Sequence, residues 1–108
     1  MARRDAAAML AETGLPVVYQ CWPDGSTPSF PCIRYAYEGD ASFFADDTRY
    51  RKVDRWSATL VSEWKDDASE ELLEQALERH GVPYEKSGDA YVRSERLNQV
   101  EYSFALPR

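Results

Sequence analysis

The sequence predicts an α+β domain in which two helices pack on one face of a mainly antiparallel sheet, in the order α-β-β-(β)-β-α-β-β. Apolar residues alternate along several segments, which is the period of a half-buried strand. Two other segments carry apolar residues at helical spacing and end at a glycine that a proline soon follows. The chain has 108 residues, the size of one compact domain. Residues 1–108 are therefore expected to form a single domain.

The N-terminal part of the chain predicts a short helix that ends at Gly14, followed by a strand. Residues 3–13 are rich in alanine, which favours a helix, and place their apolar residues on one face. Gly14 accepts the left-handed conformation that often closes a helix, and Pro16 prevents continuation. Residues 17–22 are then expected to be a strand.

The next part predicts a loop, a strand and a turn. Residues 23–31, PDGSTPSFP, contain three prolines and a glycine, so an extended loop is expected there. Residues 32–38 return to strand alternation and turn at Gly39. A short strand is expected over residues 49–53, directly before the longest strand of the chain.

That longest strand is predicted for residues 54–64, and it is expected at the centre of the sheet. Aromatic residues on a sheet face that a helix covers are usually buried. We therefore expect Trp56 and Trp64 in the core. The residues on the same side of this strand are Trp56, Ala58, Leu60, Ser62 and Trp64.

A second helix is predicted to follow. Asp67 is a candidate N-cap with Glu70 three residues later, which resembles a capping box. The helix is expected to end at Gly81, with Val82 contacting Leu77 as in a Schellman motif. The apolar side of the helix is predicted to consist of Leu72, Leu73, Ala76, Leu77 and His80.

The C-terminal part predicts three further strands. Residues 84–86 and 90–93 are expected to pair as a hairpin around the turn residues 87–89. The last strand alternates clearly, and its inward side is predicted to hold Val100, Tyr102, Phe104 and Leu106.

Composition and charge exclude several classes of function. The net charge of −6 disfavours binding to nucleic-acid phosphates, which requires clustered cations. No segment approaches the roughly 20 apolar residues that span a bilayer, and the N-terminus lacks the apolar run of about 7–15 residues of a signal peptide. The chain is expected in the cytoplasm, without a nucleic-acid or membrane partner.

The residues also disfavour catalysis, and no cofactor, metal or catalytic residue is expected. His80 is the single histidine and ends a helix, where a cation gains about 0.3–1 kcal/mol, so it is interpreted as a cap. Cys21 and Cys32 lack the spacing of a zinc site and are expected as reduced thiols, with pairing across the loop as the alternative. Asp46–Asp47 and Asp66–Asp67 are interpreted as turn and capping residues rather than Mg²⁺ ligands.

Aromatic residues beside loops are candidates for an interface. Trp22 adjoins the proline-rich loop, and Phe43 and Phe44 adjoin a turn. Alternation lets only one of the two phenylalanines face inward, and large aromatic residues are enriched where proteins bind one another. We therefore expect a partner contact at these residues.

The charges of the chain are segregated. Residues 63–78 contain seven acids and one lysine, a balance of −6 that equals the net charge. Within it Glu70, Glu74 and Glu78 are spaced four apart, a like-charge ridge that costs about 0.2–0.5 kcal/mol per pair. Residues 49–55 have a balance of +3. Their cations are Arg49, Arg51, Lys52 and Arg55.

Two interpretations of these opposite charges stay open. The helix and the basic segment either neutralise each other within one subunit or meet head to tail between subunits, as the closure of a ring requires.

Four groups of residues carry a resemblance to a known family. They are Gly14-Leu15-Pro16 before a strand, Phe43-Phe44-Ala45-Asp46 with Tyr50, Glu63-Trp64-Lys65-Asp66 before the acidic helix, and Tyr84-Glu85-Lys86 followed by Glu95. With them the chain resembles, over roughly residues 12–106, a family of small proteins of tailed bacteriophages and prophages encoded among the head-to-tail joining genes. Its size and element order are similar to those of tail terminator, or tail completion, proteins.

The resemblance implies a structural protein and no enzyme. Tail terminators form a ring, usually of six subunits, that caps the tail tube and meets the head connector. The implied partners are therefore the chain itself, the tail tube and the head connector proteins, in the host cytoplasm during assembly and afterwards in the virion. Phe43 or Phe44, with Asp46 and Tyr50, would form a subunit or tube contact.

Two alternatives remain. Connector adaptor proteins belong to the same gene neighbourhood, so the resemblance also allows that role. A monomeric acidic module that inhibits a basic partner by mimicking nucleic acid would instead use the glutamate ridge as its binding surface.

Overall fold

A sheet of six strands, antiparallel except for one pair, carries both helices on one face. The structure is a computed structural model that describes residues 3–20, 29–40, 43–44, 50–51 and 53–107, with the backbone alone at 3–4, 43–44 and 50–51. The elements are α1 (Arg3–Ala11), β1 (Val17–Tyr19), β2 (Cys32–Asp40), β3 (Phe43–Phe44), β4 (Tyr50–Arg51), β5 (Val53–Ser62), α2 (Asp67–Arg79), β6 (Tyr84–Lys86), β7 (Ala90–Val92) and β8 (Leu97–Pro107). This is the predicted α+β class.

The strands of the large sheet lie in the order β1-β2-β5-β8-β6, and β7 pairs with β8. β1 and β2 are parallel, whereas β5 is antiparallel to both of its neighbours. β3 and β4 form a separate antiparallel pair. The two longest strands, β5 and β8, are thus neighbours at the centre of the sheet.

The predicted hairpin between residues 84–86 and 90–93 is wrong. Both β6 and β7 pair with β8, β6 near its C-terminal end and β7 near its N-terminal end. Between them Ser87 binds the edge of the same strand, since its backbone N donates to Glu101 O at 2.9 Å. β8 is 11 residues long, which leaves room for two short partners on one edge.

The ends of α2 follow local chemistry. Val82 N donates to Leu77 O at 2.9 Å and Gly81 N donates to Glu78 O at 3.0 Å, with Gly81 at φ 67°, so the predicted Schellman motif is confirmed. The N-cap is Asp66 rather than Asp67, because its carboxylate accepts from the backbone N of Ser69 at 3.0 Å.

The core lies between the two helices and the sheet face that they cover. Trp56 is buried as predicted, but Trp64 is 74% exposed. β5 ends at Ser62, whose Oγ donates to Trp64 O at 2.6 Å, so the chain turns away before Trp64 can join the sheet. The core cluster consists of Ala6, Met9, Leu10, Ile33, Tyr35, Trp56, Ala58, Leu60, Leu73, Leu77, Val82, Val100, Tyr102, Phe104 and Leu106.

Fewer of the predicted apolar-side residues of α2 are buried than expected. Leu73, Ala76 and Leu77 are buried, whereas Leu72 is 40% exposed and His80 is exposed.

β1 is shorter than predicted and ends at Tyr19, because the following residue has a positive φ. Cys32 is buried, and Cys21 lies outside the described residues.

Replacing Gly81 with alanine is expected to lower the free energy of unfolding by about 1–2 kcal/mol, because a Cβ is strained in the left-handed conformation. Gly88 is the matched control, since its φ is not in that region and no atom lies within 4 Å of the added Cβ. Chemical denaturation of both variants measures the difference. Equal effects of Gly81→Ala and Gly88→Ala would contradict the assigned helix end.

Candidate partner-binding surfaces

The glutamates of α2 bond to side chains of the same chain. Lys65 Nζ lies 2.8 Å from Glu70 Oε2, and Lys86 Nζ lies 2.7 Å from Glu70 Oε1. Lys86 Nζ also lies 2.8 Å from Glu74 Oε2, which accepts a hydrogen bond from the hydroxyl of Tyr102 at 2.7 Å. Lys86 therefore joins the helix to the β6–β8 side of the sheet.

The strand register positions this cluster. Lys86 is paired with Tyr102 across β6 and β8, so both side chains lie on the face that α2 covers. Tyr84 lies two residues earlier on the same side, and its hydroxyl donates to Glu78 Oε2 at 3.0 Å. The cluster thus extends from Glu70 to Glu78, over about two turns of the helix.

The pKa values reflect the cluster. Burial pushes the pKa of Glu70 upward, but the bonds from Lys65 and Lys86 outweigh it and hold the pKa below its ordinary value. The pKa of Glu74 is lowered in the same way, against burial, by Lys86 and Tyr102. Burial and the neighbouring glutamates raise the pKa of Tyr84 to about 12. At neutral pH the carboxylates are charged and the phenol is neutral.

The three glutamates of the predicted ridge differ in their surroundings. Glu70 is only 3% exposed, although Glu78 is exposed. Among the described residues, the cations bonded to Glu70 and Glu74 are Lys65 and Lys86, which lie outside the predicted basic segment. The spacing of the glutamates alone does not reveal these partners. The pattern Tyr84-x-Lys86, which places both side chains on one side of a strand, is a sequence signal that could have indicated them.

The structure brings four of the predicted interface residues together in one hairpin. Phe43 is paired with Arg51, and Phe44 is paired with Tyr50. We call residues 43–51 the β3–β4 hairpin, of which the structure describes the backbone of 43–44 and 50–51. In the sequence it lies between the end of β2 and the start of β5, where Asp40 is paired with Asp54. The predicted residues Trp22, Asp46, Arg49 and Lys52 lie outside the described residues.

Arg55 is the one cation of the predicted basic segment whose side chain is described. It is exposed and is paired with Gly39 on one side and Ala105 on the other. Its side chain therefore lies on the face of the sheet opposite Trp56, which is the face without helices. It is close to the N-terminal end of β5, which the hairpin precedes in the chain.

The opposite end of β5 carries an exposed aromatic pair that sequence reasoning missed. Trp64 and Tyr91 are 74% and 45% exposed, and their rings stack with centroids 6.1 Å apart and planes at 17°. A cleft of about 380 Å³ lies beside them. We call this surface the aromatic patch, and it is lined by Phe30, Glu63, Trp64, Tyr91, Glu95, Arg96 and Leu97.

Within the described part of the chain, no three His, Cys, Asp or Glu side chains are grouped to hold a metal ion. His80 Nε2 lies 2.7 Å from Glu12 Oε2, so it links the end of α2 to the residue after α1. No helix among the described residues is long and apolar enough to cross a membrane.

No protein-family model matches the chain, and no curated protein matches its sequence. Its fold is similar to that of a chain in the structure titled "Virion of native gene transfer agent (GTA) particle". The match covers 97% of this chain and 87% of that chain, with a TM-score of 0.53 and 14% sequence identity. At this identity the likeness establishes a shared fold.

The glutamate cluster makes stability depend on acid. Because the folded pKa of Glu70 lies below the ordinary value of 4.5, its contribution is complete above about pH 4.5 and is lost as the pH falls through the folded pKa. Glu70→Gln is expected to lower the free energy of unfolding by about 1–3 kcal/mol at pH 7 and to flatten its fall on acidification. Denaturation curves at several pH values measure both effects.

The neighbouring Glu71 provides the control, because it is exposed on the same helix. Glu71→Gln is expected to change stability by less than about 0.5 kcal/mol and to keep the acid dependence of the wild type. If the two variants behaved alike, the buried cluster would not be a source of stability.

Proposed function

We propose that the chain is a structural protein of a phage-like virion. The observation that carries this proposal is the fold shared, over 97% of the chain, with a chain from a virion particle. The sequence resemblance to head-to-tail joining proteins supports the same role. The described surface also fits an assembly protein, since its most exposed large apolar side chain is a tryptophan, a residue enriched at protein interfaces.

Within the virion we propose the role of a tail terminator at the head–tail junction. In this role copies of the chain form a ring, of six subunits by the resemblance, which caps the tail tube and meets the head connector. An acidic subunit suits a channel through which DNA passes, because like charge lowers nonspecific binding to phosphates. The net charge of −6 is consistent with that environment.

The subunit contact is proposed to use the basic segment. Its cations, with the aromatic residues of the β3–β4 hairpin, form one side of the contact, and Trp22 contributes from the proline-rich loop. Among Glu70, Glu74 and Glu78, Glu78 is the one that is exposed, and it is proposed to face a neighbouring subunit. The residues proposed for the basic side are Phe43, Phe44, Asp46, Arg49, Tyr50, Arg51, Lys52 and Arg55.

Negative-stain imaging of tail tubes assembled with and without the purified chain tests this function. We expect a cap at one end of each tube and a uniform tube length when the chain is present, and overlong tubes without a cap when it is absent. Uncapped tubes of unchanged length would contradict a tail terminator. Binding to isolated head connectors but not to tubes would assign the adaptor role instead.

The same assay tests the charged contact. Capping by the wild type is expected to weaken with salt, because salt screens the attraction between exposed charges, with a Debye length of about 10 Å at 0.1 M. Arg55→Glu is expected to reduce capping and to make the capping that remains less sensitive to salt, because the attraction of Arg55 is gone. Arg93→Glu is the matched control, since Arg93 is also exposed but lies outside the basic segment. Equal capping by both variants would remove Arg55 from the contact.

A further inference from the structure

We infer that the aromatic patch is the binding site for the β3–β4 hairpin of a second copy of this chain. The inference rests on the proposed function and goes beyond it, since it names the two surfaces by which neighbouring subunits meet. Glu70 and Glu74 of the glutamate ridge already bind Lys86 of their own chain, so they are not assigned to this contact.

The aromatic patch has the character of an interface anchor. Trp64 is held in place by its stack on Tyr91 and by the bond from Ser62 Oγ to its carbonyl. A large ring that is exposed but already ordered loses little conformational entropy when a partner covers it. Tryptophan and tyrosine are also the residues that most often dominate binding energy.

The charge of the patch favours a basic partner. Glu63 and Glu95 line the cleft beside Trp64, and Arg96 is the cation among its lining residues. A second cleft that Trp64 also lines adds Asp66 and Lys65. Lys65 is already bonded to buried Glu70 at 2.8 Å, so the accessible balance around the tryptophan is negative.

The chain carries the complementary group itself. Residues 49–55 have a balance of +3 and contain three arginines, and an arginine placed over a tryptophan ring gains a cation–π attraction of about 0.5–2 kcal/mol. The phenylalanines of the same hairpin supply apolar area for the cleft. Both the charge and the aromatic character of the patch are thus matched by one segment.

The positions of the two surfaces require a second copy. The hairpin precedes the first residue of β5, and Trp64 follows its last residue. β5 has ten residues, so its ends are about 30 Å apart at 3.3 Å per residue. A hairpin at one end therefore meets the patch of a neighbour rather than its own. A contact between two different surfaces repeats head to tail and closes into a ring.

Two variants that each remove one side of the contact test this inference. Trp64→Ser keeps the hairpin but removes the anchor, whereas the double variant Arg51→Glu, Lys52→Glu keeps the patch but reverses the hairpin charge. Analytical ultracentrifugation of the wild type is expected to show association as concentration rises. Each variant alone is expected to weaken that association at least about tenfold, which corresponds to loss of one hot spot.

Mixing the variants distinguishes a direct contact from a folding defect. In an equimolar mixture, the hairpin of Trp64→Ser fits the patch of the charge-reversed variant, while the reciprocal contact is lost. The mixture is therefore expected to form dimers and nothing larger. Leu72→Ser is the control, because Leu72 is also exposed but lies on α2, and it is expected to associate as the wild type does.

Three results would overturn the inference. These are a wild type that stays monomeric up to about 1 mM, unaltered association of Trp64→Ser, or a mixture that fails to form dimers. None of them decides the proposed function, which depends on whether the wild type caps tail tubes. Conversely, a chain that associates as described but leaves tubes uncapped would keep this contact and reject the tail terminator role.

Discussion

The position of α2 on the sheet depends on the burial of Glu70 between two lysines. A buried carboxylate is costly unless it is paired and hydrogen-bonded, and here Lys65 before the helix and Lys86 on β6 both reach it. Lys86 also binds Glu74, one turn further along. These ion pairs hold the acidic helix α2 against β6 of the same chain.

This internal pairing changes what the surface offers to partners. The acidic helix does not present an open row of carboxylates, which weakens the case for an inhibitor that mimics nucleic acid. Among the described side chains, the stacked Trp64 and Tyr91 are exposed beyond one end of β5, and in the sequence the β3–β4 hairpin precedes the other end. Two unlike surfaces at opposite ends of one strand suit a protein that assembles with copies of itself.

Much of the fold could be predicted from local sequence. Strand alternation correctly predicts the buried side of β8, and Gly81 with Val82 correctly predicts the end of α2. Both features depend on residues that are close together in the chain. Trp64 was placed in the core because alternation continues past Ser62, although the turn there ends the strand. The burial of Glu70 was missed because its partner Lys86 approaches only in the folded chain.

The candidate site was less predictable for the same reason. The basic segment is visible as a charge cluster, but the aromatic patch joins Trp64 to Tyr91 from another strand, and no local pattern shows that pairing.

Electron cryomicroscopy of an assembled particle containing this chain is the most direct measurement of its role. We expect a closed ring at the head–tail junction, with Trp64 of each copy against the hairpin of the next. Absence of the chain from that junction would contradict it.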